Sequence, residues 1–411
     1  MPETWPLSVQ QRSLLARGGA PFNSVATYAA PAPVPDDVLR GALRRLADRH
    51  PMLRASVGDS GTTVHDRVEP DVVTARASAA QAPDLLRAEW ATGFARDRAP
   101  LWRARQYVIE DDTALLALAY DHLVFDALSR SIVLKYLARD DAPAPAATYG
   151  EFALWQEREA PEGLAFWRAL HDGVPVRRAV PLPFTSPGGD PRPSTLVHRL
   201  DAEATSRVAA AARERGVSAV LLLLAGLFAA LAEVSGETDL TVRVPVHGRP
   251  ARFLRVVGWF ANDTLCRVAR CHPGDALATL PALAEVWPGL QRHQAVPIEV
   301  VERSAGVPVP PGAERPRLVT FNATGDVGTV VTRSSPDRPA PSAGAAPAVV
   351  AALGTSLRPV TVPRDVAESG LQLSASANAF VVLQCSFDAA RFAPGDVTAL
   401  LAEWARCLTR C

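Results

Sequence analysis

The sequence has little cysteine, and its cysteines form no pattern typical of a metal site or a disulfide framework. Five cysteines are scattered through 411 residues, with no CxxC pair and no histidine at metal-ligand spacing. Cys266 and Cys271 could form a metal or disulfide pair, but we interpret them as reduced core thiols. We therefore expect no metal site.

A surplus of one charge sign and a long apolar run are also absent. Lys and Arg total 43, as do Asp and Glu, which argues against binding to nucleic acid or to an anionic membrane. The most apolar stretch, residues 219–232, is shorter than the roughly 20 residues that span a bilayer, and the N-terminus lacks the features of a signal peptide. We predict a neutral, soluble, cytoplasmic protein without membrane contact.

Several common catalytic signatures are missing. The chain contains no GxSxG elbow, no GxxxxGK[ST] loop and no GxGxxG motif after a strand. A triad hydrolase, a P-loop ATPase and a Rossmann enzyme therefore have no support. An enzyme with this sequence is expected to work without a bound nucleotide.

Proline, by contrast, is abundant, with 36 residues. Stretches rich in Pro, Gly, Ser and Ala at 141–148, 181–193 and 333–348 separate segments with clear periodicity. The second stretch predicts a boundary between two domains, residues 1–180 and 181–411. The third is long for a loop inside a compact domain and predicts a crossing or mobile segment.

The periodic segments indicate helices and strands in both halves of the chain. The predicted elements are a helix capped by Asp36 or Asp37 and limited by Pro51, a β-hairpin over 103–120, a helix after residue 127, a helix over 217–234 and a strand over 239–246. Alternation of this kind predicts two α/β layered subdomains.

The loop between the hairpin and the following helix, DHLVFDA, is the most suggestive site. It places His122 between the carboxylates Asp121 and Asp126. Histidine suits proton transfer near pH 7, and a neighbouring carboxylate can fix its tautomer. The alternative interpretation is a histidine that is only structural at a strand–helix junction.

This loop resembles the HHxxxDG motif of nonribosomal peptide synthetase condensation domains, which belong to the chloramphenicol acetyltransferase-like superfamily. Further segments resemble motifs of the same family in the same order: LSVQQRSLL (7–15), DRHPMLRASV (48–57), TYGEFALWQ (148–156), VGWFANDTLCRV (257–268), HQAVPIEVV (293–301) and, more weakly, RLVTFNATG (317–325). Together these motifs cover nearly the whole chain.

The resemblance implies an α/β fold of two chloramphenicol acetyltransferase-like subdomains in a V-shaped pseudodimer with a central tunnel. It implies that His122 is catalytic and that Asp126 is structural, paired with Arg54. Two positions depart from the motif, because Asp121 replaces its first histidine and Ala127 replaces its glycine. We interpret Asp121 as structural, and we expect the Ala127 methyl group to lie at a crowded backbone and narrow the tunnel.

Other members of the superfamily are less well matched. Asp121, Asp126 and Ser129 form the DxxxxDxxS pattern of heterocyclisation domains, but the companion motifs are not apparent and His122 is retained. HGR (247–249) resembles an epimerisation signature, yet Pro245 stands where that family has a glutamate. Further candidates for tunnel or substrate contact are the residues Ser129, Trp259, Asn262 and Asn322. The alternative interpretation is that Trp259 is a core residue and that the two asparagines satisfy backbone groups.

The expected function is therefore condensation: an amine or hydroxyl attacks a carrier-bound acyl thioester to form an amide or ester. The chain would be a monomer without a bound cofactor, and it would receive its substrates on the phosphopantetheine arm of a carrier protein in trans. The acceptor would be carrier-bound or a small molecule. The alternatives are a non-catalytic condensation-like module that recruits a partner, and heterocyclisation or another acyl transfer.

Overall fold

The computed structural model describes residues 2–18, 22–110, 112–139, 143–306, 318–323, 348–360, 370–377 and 380–410. Its strands are β1 (Glu3–Trp5), β2 (Asn23–Ala30), β3 (Ala55–Gly58), β4 (Gly61–Val64), β5 (Val72–Arg76), β6 (Trp102–Val108), β7 (Ala114–Asp121), β8 (Pro193–Arg199), β9 (Leu240–Val246), β10 (Asn262–Val268), β11 (Thr320–Ala323), β12 (Ala348–Val350), β13 (Thr355–Pro359), β14 (Gln372–Ala377) and β15 (Val381–Asp388). Its helices are α1 (Val9–Arg17), α2 (Asp36–Arg49), α3 (Ala82–Ala91), α4 (Ala127–Ala138), α5 (Tyr149–Leu170), α6 (Ala202–Glu214), α7 (Ala219–Ser235), α8 (Ala276–Arg292), α9 (Ile298–Ser304) and α10 (Pro394–Thr409).

The chain divides into two compact units, each discontinuous in sequence. The first comprises residues 1–159, 247–261 and 343–364, and the second comprises the remaining residues. The division predicted at residue 180 is corrected, because contacts place 247–261 and 343–364 with the N-terminal part. Local composition marks a loop at 181–193 but does not show that later segments return to the first unit.

The first unit contains a six-stranded sheet in the order β12-β13-β2-β7-β6-β5 and a small sheet of β1, β4 and β3. Strand β7 pairs antiparallel with both β2 and β6, and most of its side chains are buried. The predicted hairpin and the central position of its apolar second arm are therefore confirmed. A strand that is covered on both faces reads as a continuous apolar run, which explains TALLALAY.

Helix α2 packs through the face predicted from its periodicity, with Leu39, Leu43 and Leu46 buried. Its cap differs from the prediction, because the N-cap residue is Pro35 and no side chain caps the helix. The two aspartates at 36 and 37 lie instead in the first turn, where the helix dipole favours carboxylates.

The second unit contains a six-stranded sheet in the order β10-β9-β11-β14-β15-β8. Helix α7 is buried almost throughout, begins at the side-chain cap Ser218 and ends at Gly236, whose φ of 74° is left-handed. It packs closely against α10 at Gly226, where a Cβ atom would lie only 2.6 Å from Leu408 Cδ2. A larger residue therefore does not fit at this position. This helix is the apolar stretch recognised in the sequence.

Two further predictions can be compared with the described residues. Cys266, Cys271, Cys385 and Cys407 are buried free thiols, as expected of core cysteines, while Cys411 lies outside the described residues. No single described helix has the length and apolarity to cross a bilayer, although α6 and α7, bent by 107°, meet that criterion as a pair. The Pro-rich segment 333–348, apart from the backbone of its last residue, also lies outside the described residues.

Candidate active site

The loop after β7 is shaped by its two aspartates, each of which begins a helical turn. Asp121 Oδ1 accepts a hydrogen bond from Leu123 N at 2.9 Å and so caps the short 3₁₀ turn His122–Val124. Asp126 Oδ1 accepts from Ser129 N at 2.9 Å and caps α4. Both are ordinary N-cap contacts, so the loop conformation follows from its own sequence. The backbone N–H of His122 also donates to Phe22 O at 2.8 Å, which extends the β2–β7 pairing by one step.

Asp126 is the anchor of the loop, and its cation is Arg249. Arg249 donates from Nη1 to Oδ2 at 2.7 Å and from Nη2 to Oδ1 at 2.9 Å, and both side chains are fully buried. The backbone N–H groups of Phe260 and Ala261 also donate to Oδ2. Burial alone would raise the pKa of Asp126, but the charge and hydrogen bonds of Arg249 hold it below its usual value. With five donors on two oxygens, this carboxylate is occupied structurally.

The predicted pairing of Asp126 with Arg54 is wrong. Arg54 donates from Nε to His65 O at 2.9 Å and from Nη1 to Ala47 O and Asp48 O. It therefore joins the end of α2 to the residue that follows β4, within its own neighbourhood. The HGR segment was the available signal for Arg249, but it pointed only to a resemblance with epimerisation domains.

A tight turn aims Arg249 at the loop. Gly248 has a left-handed φ of 59°, and His247 Nδ1 accepts a hydrogen bond from Arg249 N at 3.0 Å. Burial and the charge of Arg249 lower the pKa of His247 to about 4. The imidazole is therefore neutral near pH 7 and can keep accepting this bond.

Ser129 is a second internal link rather than a substrate contact. Its Oγ donates to Gly258 O at 2.9 Å and accepts from Gly258 N at 3.1 Å and from Arg249 Nη2 at 2.9 Å. The residue is fully buried. The prediction that it faces substrate is corrected, because every polar atom of its side chain is used within the first unit.

His122 is held between two aromatic side chains. The Phe22 ring stacks on the imidazole with centroids 4.4 Å apart and an interplanar angle of 10°. Trp259 meets it edge to face at 4.9 Å and 65°. His122 is partly exposed, whereas Asp121 and Asp126 are buried. Trp259 is buried, with 8% of its surface exposed, so it packs against the imidazole as a core residue, which is the alternative that the sequence left open. Phe22 was missed because its proximity depends on the β2–β7 register.

Asp121, which stands in place of a histidine, forms an ion pair. Arg96 Nε lies 3.2 Å from Asp121 Oδ2, and the Asp121 side chain is only 2% exposed. With Oδ1 on Leu123 N and Oδ2 on Arg96, both oxygens are engaged. The structural interpretation of Asp121 fits these contacts, and a role as a free carboxylate in heterocyclisation does not.

The three remaining candidates are Ala127 in the first unit and Asn262 and Asn322 in the second. Ala127 is exposed at the start of α4, so the expected crowding around its methyl group is wrong. Asn262, in the second unit, donates to Gln294 O and Val296 O and accepts from Ile298 N, which supports the alternative of backbone support over a substrate role. Asn322 is exposed on β11 of the second unit.

Two sheet-centred units and a His–Asp loop anchored by a buried arginine fit the chloramphenicol acetyltransferase-like fold that the sequence motifs imply. Within that class, the chain belongs to the condensation-domain family of nonribosomal peptide synthetases. The family model named Condensation domain matches residues 4–309.

Individual relatives agree with this assignment. The phosphinothricin tripeptide synthetase PhsC from Streptomyces viridochromogenes is 30% identical over 316 residues, which cover 67% of this chain and 28% of that protein. The chain therefore spans a small part of the curated relatives it matches.

Solved structures agree in fold. The complex of the X-domain and OxyB from teicoplanin biosynthesis matches at a TM-score of 0.77 and 20% identity, covering 100% of this chain and 93% of that one. The condensation domain of the monacolin K polyketide synthase MokA matches at a TM-score of 0.77 and 17% identity, covering 99% and 97%.

Proposed function

We propose that the chain catalyses condensation, in which an amine or hydroxyl attacks the carbonyl carbon of an acyl thioester. The supporting observation is the difference in exposure and pairing between His122 and the two aspartates of the loop. Asp121 and Asp126 are buried and ion-paired with arginines, whereas His122 is partly exposed and braced by Phe22 and Trp259. His122 is thus the side chain of the loop that is suited to meet a substrate.

In this reaction the nucleophile forms the new C–N or C–O bond, and the C–S bond breaks. The proton lost by the nucleophile ends on the departing thiol. His122 accepts that proton or orients the nucleophile through a hydrogen bond. General-base help is worth about 10² to 10⁴ in rate, whereas alignment of two reactants can supply about 7 to 11 kcal/mol. Positioning is therefore the larger contribution.

The proposal includes the way in which substrates arrive. The acyl donor is carried on the phosphopantetheine arm of a carrier protein in trans, and the acceptor is carrier-bound or free. The chain needs no cofactor of its own for this chemistry, because the acyl group is already activated as a thioester. Membership of the condensation-domain family supports a carrier as partner.

The test is turnover of an acyl-loaded carrier with candidate amine and hydroxyl acceptors. His122→Ala is expected to lower the rate at least about 100-fold, the low end of general-base effects. His272→Ala, at an exposed histidine of the second unit, is the matched control and should keep the rate. An undiminished rate in His122→Ala would refute the catalytic role.

A second candidate function is recruitment of a partner enzyme without catalysis. Two observations favour it: the likeness in fold to an X-domain solved in complex with OxyB, and the replacement of the first motif histidine by Asp121. A stable complex with an oxygenase, together with no turnover of any thioester, would support recruitment over condensation.

A further inference from the structure

Helix α1 contacts the backbone of the His122 turn from outside the loop. Gln11 on this helix donates from Nε2 to Leu123 O at 2.8 Å, and Leu123 belongs to the short 3₁₀ turn that begins with His122. Gln11 and Leu123 are both completely buried. A buried carbonyl that loses its donor is costly, so this bond favours the turn conformation in which Leu123 O faces α1.

The capping box at the start of α1 fixes the Gln11 side chain. Gln11 Oε1 accepts from Ser8 N at 3.0 Å, and Gln11 N donates to Ser8 Oγ at 3.2 Å. Ser8 N can only donate and Leu123 O can only accept, so one orientation of the amide satisfies both partners. The first turn of α1 and the turn of His122 are therefore joined by a side chain that cannot rotate without losing a hydrogen bond.

The same cap is connected to the residue that packs against the imidazole. Tyr149 Oη lies 2.9 Å from Ser8 Oγ and donates to Trp259 O at 2.7 Å. A carbonyl oxygen only accepts, so the single phenolic proton goes to Trp259 and the Ser8 hydroxyl donates to Tyr149. The Tyr149 ring also lies directly on this backbone, because a Cβ on Gly258 would be 2.4 Å from Tyr149 Cδ2. The backbone that carries Trp259 is therefore held by Tyr149.

Ser8, Gln11 and Tyr149 form one connected group, which we call the α1 clamp. All three residues belong to the first unit, and none has more than 1% of its surface exposed, so they offer no surface to a substrate. The clamp ends on two backbone carbonyls. One belongs to the turn of His122, and the other belongs to Trp259, whose ring meets the imidazole edge to face at 4.9 Å.

We propose that the α1 clamp positions His122 for its reaction. Gln11 fixes the turn that carries the imidazole, and Tyr149 fixes the residue against which the imidazole packs. The effect on turnover rests on the proposed condensation function, whereas the effect on the place of the imidazole does not. A displacement of about 1 Å at a reacting group can cost about 100-fold in rate, so residues that never touch substrate can still control kcat.

The first variant separates the link to His122 from the helix cap. In Gln11→Glu the carboxylate keeps an acceptor for Ser8 N, but it faces Leu123 O without a donor. We expect kcat for an acyl-loaded carrier to fall about tenfold with KM little changed, the size of one buried hydrogen bond left unmade.

The matched control is Gln106→Glu. Gln106 is also a buried glutamine of the first unit that bonds to backbone, because it donates to Val34 O at 2.9 Å and accepts from Val34 N at 2.8 Å. It pairs with Leu116 near the start of β7, whereas the His122 turn follows the end of that strand. The control should lose stability to urea to a similar extent as Gln11→Glu, but it should keep the native kcat.

The position of the imidazole is measured separately from turnover, by ¹H–¹³C NMR of protein with labelled histidine. The His122 signal is identified by its absence in His122→Ala. We expect Gln11→Glu to shift this signal, because the imidazole moves relative to the neighbouring rings. The signals of His171 and His293, in the second unit, should stay in place. Gln106→Glu should leave the His122 signal unchanged.

Tyr149→Phe tests the other end of the clamp and serves if Gln11→Glu does not fold, because it removes one oxygen and keeps the ring. It leaves Trp259 O without its donor, so we expect a shifted His122 signal and a lower kcat. An unchanged His122 signal in either folded variant, or an equal shift in Gln106→Glu, overturns the proposal. Shifted signals in a protein that turns over no thioester would support the clamp and refute condensation, so the two failures are distinguishable.

Discussion

Arg249 grips Asp126 with both terminal nitrogens, at 2.7 and 2.9 Å, in a place where neither side chain touches solvent. This pair fixes the loop that carries His122, and the same carboxylate also holds the backbone at 260 and 261. The Asp126–Arg249 pair therefore serves to fix the conformation of the loop. The carboxylate has no remaining capacity for chemistry.

Removal of either partner of this pair should be strongly destabilising. Arg249→Leu leaves a buried carboxylate without its cation, and we expect a loss of about 3 to 5 kcal/mol in the free energy of unfolding by urea titration. The exposed pair Arg12 and Glu157 is the control, and its removal should cost less than about 1 kcal/mol. Similar losses at both pairs would contradict the structural role of Arg249.

Loss of the Phe22 ring should affect His122 more than it affects stability. Phe22 is 44% exposed, so Phe22→Leu should change the free energy of unfolding by less than about 1 kcal/mol. A stacked pair is worth about 0.5 to 1.5 kcal/mol, so we expect kcat to fall up to about tenfold with KM little changed. The His122 imidazole signal should also move in NMR spectra, because the ring current disappears. Leu154→Ala, at a similarly exposed apolar residue, should change neither readout.

Restoration of a histidine at position 121 should be harmful in this chain. Asp121→His removes the cap on Leu123 N and leaves Arg96 without its carboxylate, so we expect a lower Tm and lower turnover than in the native protein. Asp121→Asn keeps an oxygen for the cap, so its Tm and turnover should lie between those of Asp121→His and those of the native protein. A more stable and more active Asp121→His protein would show that Asp121 does not support the loop and that the substitution of the motif histidine is a loss.

Acid should destabilise the protein partly through His50. Burial, together with the charges of Arg49 and Arg255, lowers the pKa of His50 to about 4, and neither ring nitrogen has a hydrogen-bond partner among the described residues. The folded state then binds fewer protons than the unfolded state, whose histidine has a pKa of about 6.5. Stability is therefore full above about pH 6.5 and falls as the pH decreases toward 4, by about 2 kcal/mol at pH 5 for this residue.

His50→Phe removes that proton uptake while it keeps a ring against Tyr136. Urea unfolding at pH 7.5 and pH 5 should show a smaller difference for the variant than for the native protein. The same difference in both proteins would mean that His50 titrates equally in the folded and unfolded states.

Local patterns in the sequence were enough to locate the loop, the hairpin, helix α7 and the family. They did not reveal which residues meet across long separations. Arg249 lies 123 positions from Asp126, and periodicity contains no information on such a pairing. Phe22 reaches His122 only because Asn23 pairs with Asp121 in the sheet register. Asn262 and Ser129 are polar residues within motif segments, so the sequence could not distinguish a substrate contact from a structural one. Their hydrogen bonds to backbone groups show that both are structural.

The discontinuity of the first unit has a consequence for synthesis on the ribosome. The loop and Asp126 emerge long before Arg249, and at about 5 to 20 residues per second the 123 positions between them take about 6 to 25 s. Through that interval the nascent N-terminal segment has a carboxylate that cannot be buried without its cation. The unit therefore closes late, after much of the second unit has already been translated.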